Sequence, residues 1–140
     1  MDTILEKNKA IVKRFNYEVI QGKNAQAFDE IVHAQFVNHS VPAGAGNAGK
    51  DGVLQFLQLM WQVFPDLNVT INMQIAEDDL VMTYKTFQGT HKGTYMGIEP
   101  TNKSVSFSTI DIIRLNDDQA IEHWSIRDNS ALWQQLTQNK

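Results

Sequence analysis

An α+β fold is predicted for this chain, with N-terminal helices laid across a curved antiparallel sheet, and three observations carry the prediction. Apolar residues recur at helical spacing as far as Phe64 and at every second position after Pro65. The helical segments come first and the strands follow in an unbroken run, the order of segregated α+β layers. The 140 residues, 42% of them hydrophobic, match one domain over residues 1–140 with a real core.

Each element has its own local signal. Thr3 and Glu6 form a capping box, and Leu5, Ile11, Val12, Phe15 and Val19 follow at helical spacing up to a stop at Gly22. Asn24 caps a shorter helix that buries Phe28, Ile31 and Val32, and Phe36 to His39 reads as a brief extended stretch. Pro42 to Gly52 holds four glycines and reads as a loop, a lid over the mouth of a cavity. Val53, Phe56, Leu57, Met60 and Phe64 mark a third helix from about Lys50, closed by Pro65. Leu67, Val69, Ile71, Met73 and Ile75 then alternate with polar residues as a strand with one wet face. Leu80–His91, Lys103–Leu115 and Ile121–Asp128 continue the meander, with turns at Glu77–Asp79 and Asn116–Gln119. Leu132, Trp133 and Leu136 are placed to cover one end of the sheet.

Composition excludes several functions. Twelve basic residues against 16 acidic ones, with no basic run, leave nothing to follow a phosphate backbone, so nucleic acid is not an expected partner. There is no cysteine, which removes disulfides, thiolate nucleophiles and cysteine metal sites. Charged residues interrupt Met1–Ile20, so it lacks a signal peptide's apolar stretch, and no run approaches the roughly 20 apolar residues of a membrane span. A soluble, cytoplasmic protein without membrane contact is expected. His33, His39, His91 and His123 are not spaced as ligands on one helix face, so no metal is expected. Gly44 to Lys50 matches the form of a phosphate loop, but Asp51 stands where a Ser or Thr would hold magnesium. No Gly-x-Ser-x-Gly elbow occurs.

A curved sheet under helices leaves a hollow, and polar residues in phase with apolar strand residues mark its lining. Asp111 shares a strand face with Val105, Phe107, Ile113 and Leu115. Such a carboxylate is either held structurally, by backbone amides, Arg114 or Arg127, or functional. Burial would raise its pKa toward neutrality and suit it to general acid or base work. On the returning strand His123, Ser125 and Arg127 lie on one face and Trp124 and Asp128 on the other. Pairing of Leu115 with Ala120 puts Asp111 opposite Trp124 and on the side of Asp128; a turn one residue longer puts it opposite Ser125 and beside His123. His39 before the loop, Trp61 on the third helix, Phe107, Trp124 and Asp128 are further candidates for the ligand pocket. Each has a structural reading too: core packing for Trp61, a helix cap for Asp128, a surface imidazole for His39.

Phe36-Val37-Asn38-His39, Phe64-Pro65-Asp66-Leu67, Gly89-Thr90-His91-Lys92-Gly93, Gly97-Ile98-Glu99-Pro100-Thr101 and Ile121-Glu122-His123-Trp124 follow one another in an order and spacing that resembles the SnoaL-like polyketide cyclases, or ester cyclases. The resemblance covers nearly the whole chain. It implies the nuclear-transport-factor-2-like cone, a homodimer built through the sheet, a small hydrophobic ligand, and no cofactor or metal. Characterised members close a ring in an aromatic polyketide ester by intramolecular aldol condensation, with a carboxylate as acid/base. Their aspartate aligns with Ser125 here, and their cooperating histidine on the preceding strand aligns with Asp111. The acid therefore stands across the hairpin, and the pairing of those two positions favours the register with Asp111 opposite Ser125. The implied site is Asp111 as acid or base, with His123 and Ser125 orienting or relaying. A pocket that binds its ligand without converting it, and a scaffolding cone, are the alternatives to an enzyme.

Overall fold

A computed structural model describes residues 3–42 and 46–138. Helix α1, Ile4–Arg14, starts where Thr3 Oγ1 accepts the Glu6 N–H, as the capping box requires. It runs on through a π-helical segment, Phe15–Gln21, to Gly22. Asn24 caps α2, Ala25–Ile31, which passes directly into β1, Val32–Asn38. Helix α3, Lys50–Val63, ends against Pro65. Strands β2 (Asn68–Glu77), β3 (Leu80–Thr90), β4 (Ser104–Asn116) and β5 (Gln119–Arg127) follow, then α4, Asn129–Thr137. Of the loop expected to act as a lid, and of the phosphate-loop-like run, residues 43–45 lie outside the described residues. No described helix is long and apolar enough to cross a membrane.

The strand order is β1-β5-β4-β3-β2. The last four strands form the antiparallel meander expected from their alternation. Strand β1 departs from it: longer than the expected Phe36–His39, it pairs parallel to β5 at the edge. A parallel neighbour needs a long crossover, and α3 with the meander behind it supplies one.

Two bulges decide which side chains face inward. In β2 the register with β3 shifts between Ile71 and Met73, reversing the expected face. Met73 and Ile75 point outward, 55% and 56% exposed, while Gln74 turns in and its amide donates to Thr83 Oγ1 at 3.3 Å. In the β4–β5 hairpin Leu115 does pair with Ala120, yet Arg114 pairs with Glu122, leaving Ile121 as the extra residue. That one-residue slip sets Asp111 opposite Ser125 and Ile113 opposite His123.

The core fills the space between the helices and the inner sheet face, with Val12, Val19, Phe28, Phe64, Val81 and Leu132 among its buried members. One end is closed by a clasp made of the motif residues around Gly89 and Pro100. Gly89 passes so near Phe64 that a Cβ there would stand 2.8 Å from the phenylalanine's own. The Thr90 N–H and hydroxyl both donate to the Asp66 carboxylate at 2.7 Å, which holds that carboxyl below its ordinary pKa. His91 is fully buried, and its Nδ1 accepts the Thr101 N–H at 3.1 Å. Leu132 and Leu136 of α4 are buried, as expected, whereas Trp133, expected beside them, is 47% exposed because it lies on the helix's outer face.

Candidate functional site

Strands β3 and β4, and β5 from His123 onward, place their odd-numbered residues on the concave face, beneath α1, the π-helical segment and α3. Between these layers lies a hollow of about 310 Å³, lined mainly by apolar side chains such as Phe15, Phe36, Phe56, Met60, Phe87 and Phe107. A volume of a few hundred Å³ is that of a small-molecule site.

Asp111 reaches this hollow from the middle of β4 and is 5% exposed. Its neighbour on β3, by the pairing Thr83↔Asp111, brings Lys85 to the same face two residues on. Lys85 is 3% exposed and lines the cavity, and its ammonium forms an ion pair with Asp111 Oδ2. Lys85 Nζ also donates to Asn16 Oδ1 at 2.7 Å, and the Asn16 amide donates to the Val12 carbonyl at 2.9 Å. The other carboxylate oxygen, Oδ1, lies 3.0 Å from His123 Nε2. A chain of polar groups thus runs from α1 through Lys85 and Asp111 to His123.

Burial would push the Asp111 pKa up, as the sequence suggests. The Lys85 charge and the His123 bond outweigh it and hold the carboxyl well below the usual carboxylate range. The expectation of an acid poised near neutrality is therefore corrected: Asp111 is an ionised carboxylate. An ionised carboxylate only accepts hydrogen bonds, so Nε2 of His123 carries the proton and a neutral ring has its acceptor at Nδ1. The His123 ring stacks against Phe36, centroids 6.2 Å apart, which limits its rotation.

Ser125 lines the same cavity, but its backbone is engaged at the rim: its N–H donates to Ser40 Oγ, whose hydroxyl donates to the Ser125 carbonyl at 3.2 Å. Phe107 lines the cavity. The other four pocket candidates stand elsewhere. His39 packs on the opposite sheet face, stacked on Trp124 at 4.7 Å, and its Nε2 lies 2.9 Å from Glu122 Oε2. Even-numbered positions of β5 point away from Asp111, so Trp124 also faces out and carries the Arg114 guanidinium at 5.8 Å. Arg114 itself pairs with Asp79 and Glu122 and does not hold Asp111. Trp61 donates its indole N–H to the Ile20 carbonyl at 2.7 Å, tying α3 to the π-helical segment. Asp128 caps α4 by accepting the Ala131 N–H at 3.0 Å. Among the described residues no three His, Asp or Glu side chains converge to hold a metal.

A family model described as SnoaL-like polyketide cyclase matches residues 10–136. The chain belongs to that family. Solved structures agree on the fold. A SnoaL-like protein from Jannaschia sp. CCS1 superposes with a TM-score of 0.86 at 22% identity, over 100% of this chain and 98% of that one. TsrD from Streptomyces laurentii gives 0.85 at 21% identity, over 97% and 98%. IdmH from Streptomyces antibioticus gives 0.81 at 26% identity, over 92% and 97%. No curated protein matches the sequence.

The member of the SnoaL-like family described here has a cation that sequence reasoning passed over. Lys85 sits in phase with Val81, Thr83 and Phe87 on a strand whose other face is exposed, the same signal that singled out Asp111. Asn16 lies within an apolar helical stripe and gave no comparable signal.

The pair makes a stability prediction. Asp111→Asn leaves the Lys85 ammonium buried without its counter-charge, and Lys85→Met leaves the carboxylate so; each is expected to cost about 3–5 kcal/mol. The double substitution is expected to cost far less than the sum, measured by urea unfolding. Additive losses would show that the two charges do not act as a unit.

Proposed function

We propose that this SnoaL-like protein binds a small hydrophobic carbonyl or ester compound in the cavity and moves a proton on it without a cofactor. The observation that carries the reading is an imidazole anchored by a buried, charge-balanced carboxylate at the wall of an apolar hollow. In this reading His123 Nδ1 takes the proton from the carbon next to the ligand's carbonyl. Asp111 keeps the ring in the tautomer that leaves Nδ1 free and balances the imidazolium that forms. Lys85 holds Asp111 ionised. The roles expected of Asp111 and His123 are therefore exchanged, with Asp111 as the positioning residue. Ser125 is a hydrogen-bond donor at the rim, within the same face. Deprotonation beside a carbonyl is the first half of an aldol ring closure, which fits a family whose model is named for polyketide cyclases.

A non-catalytic reading is favoured by one observation: both oxygens of Asp111 are already engaged, as in a structural ion pair. The two readings separate on a simple ketone. With 2-tetralone in deuterated buffer, proton NMR is expected to show faster exchange of the α-hydrogens in the presence of the protein. His123→Gln is expected to reduce that acceleration by about 10²–10⁴-fold. Exchange no faster than in buffer, or unchanged in the variant, would leave only the binding reading.

The outer face of the sheet supports the homodimer that the family implies. Register pairs Met73 with Tyr84, Tyr84 with Ile110 and Ile110 with Ile126, and all four side chains are exposed, Ile126 by 77%. Ile75 and Met82 extend the row. A contiguous apolar face across four strands is the surface a second copy would cover. Light scattering is expected to give twice the chain mass, and Ile110→Glu to give a monomer; a monomeric parent protein would contradict the pairing.

A further inference from the structure

Beyond Asp111, one end of the cavity holds polar atoms that the protein leaves without partners. Thr109 lines the cavity at 2% exposure, and its Oγ1 makes no hydrogen bond among the described residues. Directly across the hairpin, in register, stands Arg127, which lines the cavity too. Its Nε is buried and likewise unpartnered, and its guanidinium lies over the Phe56 ring at 4.6 Å. Arg127 takes part in none of the ion pairs found among the described residues.

The two cations of the hollow are therefore unlike. Lys85 is balanced inside the protein by Asp111, whereas Arg127, part-exposed with its Nε buried, has no ion-pair partner among the described residues and lies over an aromatic face. A buried guanidinium donor and a buried hydroxyl with no acceptor are unfavourable unless something else completes them. Guanidinium is donor-only, and a threonine hydroxyl can donate beside it, so the missing group is an acceptor. A carboxylate fits best, because its two oxygens match the planar fork and carry the compensating charge.

We propose that Thr109 and Arg127 form a subsite for a carboxylate on the ligand, so that the compound is an apolar acid. This rests on the cavity being the ligand site proposed above. Thr109 and Arg127 are the next inward pair along the hairpin from Asp111 and Ser125. Two residues of strand separate the pairs by about 7 Å. His123 lies two residues further, four from Arg127 and about 13 Å along β5, so the acid group and the carbonyl that meets His123 stand at opposite ends of the ligand, and the subsite sets which end meets His123.

Isothermal titration of the full chain with 2-naphthoate and with its methyl ester, at neutral pH and low salt, tests this. The acid is expected to bind about tenfold more tightly than the ester, as a charge-assisted contact implies. Arg127→Gln is expected to erase the preference and leave ester binding in place, and Thr109→Val to reduce the preference less. Equal affinities in the parent protein, or a preference that survives Arg127→Gln, would overturn the assignment. Ester binding without preference removes this inference alone; failure of both probes to bind removes the cavity as ligand site as well.

Discussion

The ion pair between Lys85 and Asp111 is the constraint on which the site depends. Both side chains are nearly excluded from water, and a lone charge in such surroundings costs several kcal/mol. Each is tolerable only because the other is there, with Asn16 and His123 taking up the remaining capacity. That requirement reaches back into the backbone. The β4–β5 bulge must turn His123 to the face of Asp111, and the unbroken β3–β4 register must bring Lys85 to that face. A slip of one residue in the β3–β4 ladder would strand a charge, and one in the β4–β5 ladder would take His123 away from Asp111.

The pair also explains how this chain differs from what its family resemblance implies. The resemblance aligns the family's aspartate with Ser125, and the register sets Asp111 directly across the hairpin from it. A carboxylate there would be poised for proton exchange only if burial were the dominant influence on it. Lys85 and His123 together reverse that balance and hold the carboxyl below the usual carboxylate range. Carboxylate, imidazole and hydroxyl line the same cavity, and in the proposed function the imidazole moves the proton.

Much of this was legible in the sequence. Periodicity located the helices and the meander, and alternation along Lys103–Leu115 singled out Asp111 as an inward acid. Alternation failed where a bulge intervened, because phase is local: Met73 and Ile75 belong to the outer face although they continue the pattern of Val69. The parallel edge strand was not legible, since partners distant in sequence leave no periodic mark. The chemistry of His39, Trp61, Trp124 and Asp128 suits a pocket, and backbone geometry gives each a place elsewhere. Lys85 was within reach of the argument used for Asp111, but a lysine on a strand invites the assumption of a solvated face. The motifs that betray the family, Gly89-Thr90-His91 with Thr101, turn out to be a structural clasp at one end of the cone, away from Asp111.

Asp111 is ionised because Lys85 and His123 together outweigh its burial. Linkage fixes the sign: a carboxyl whose pKa is lower in the folded state adds stability above its unfolded value, near 3.9, and that stability is lost as pH falls through the folded value. Carboxyl carbon-13 NMR, with the Asp111 resonance assigned by its loss in Asp111→Asn, follows the group directly. The ionised chemical shift is expected to stay unchanged from pH 8 down to about 4. A titration midpoint between about 5 and 7 would contradict it and restore Asp111 as the acid that burial alone would make.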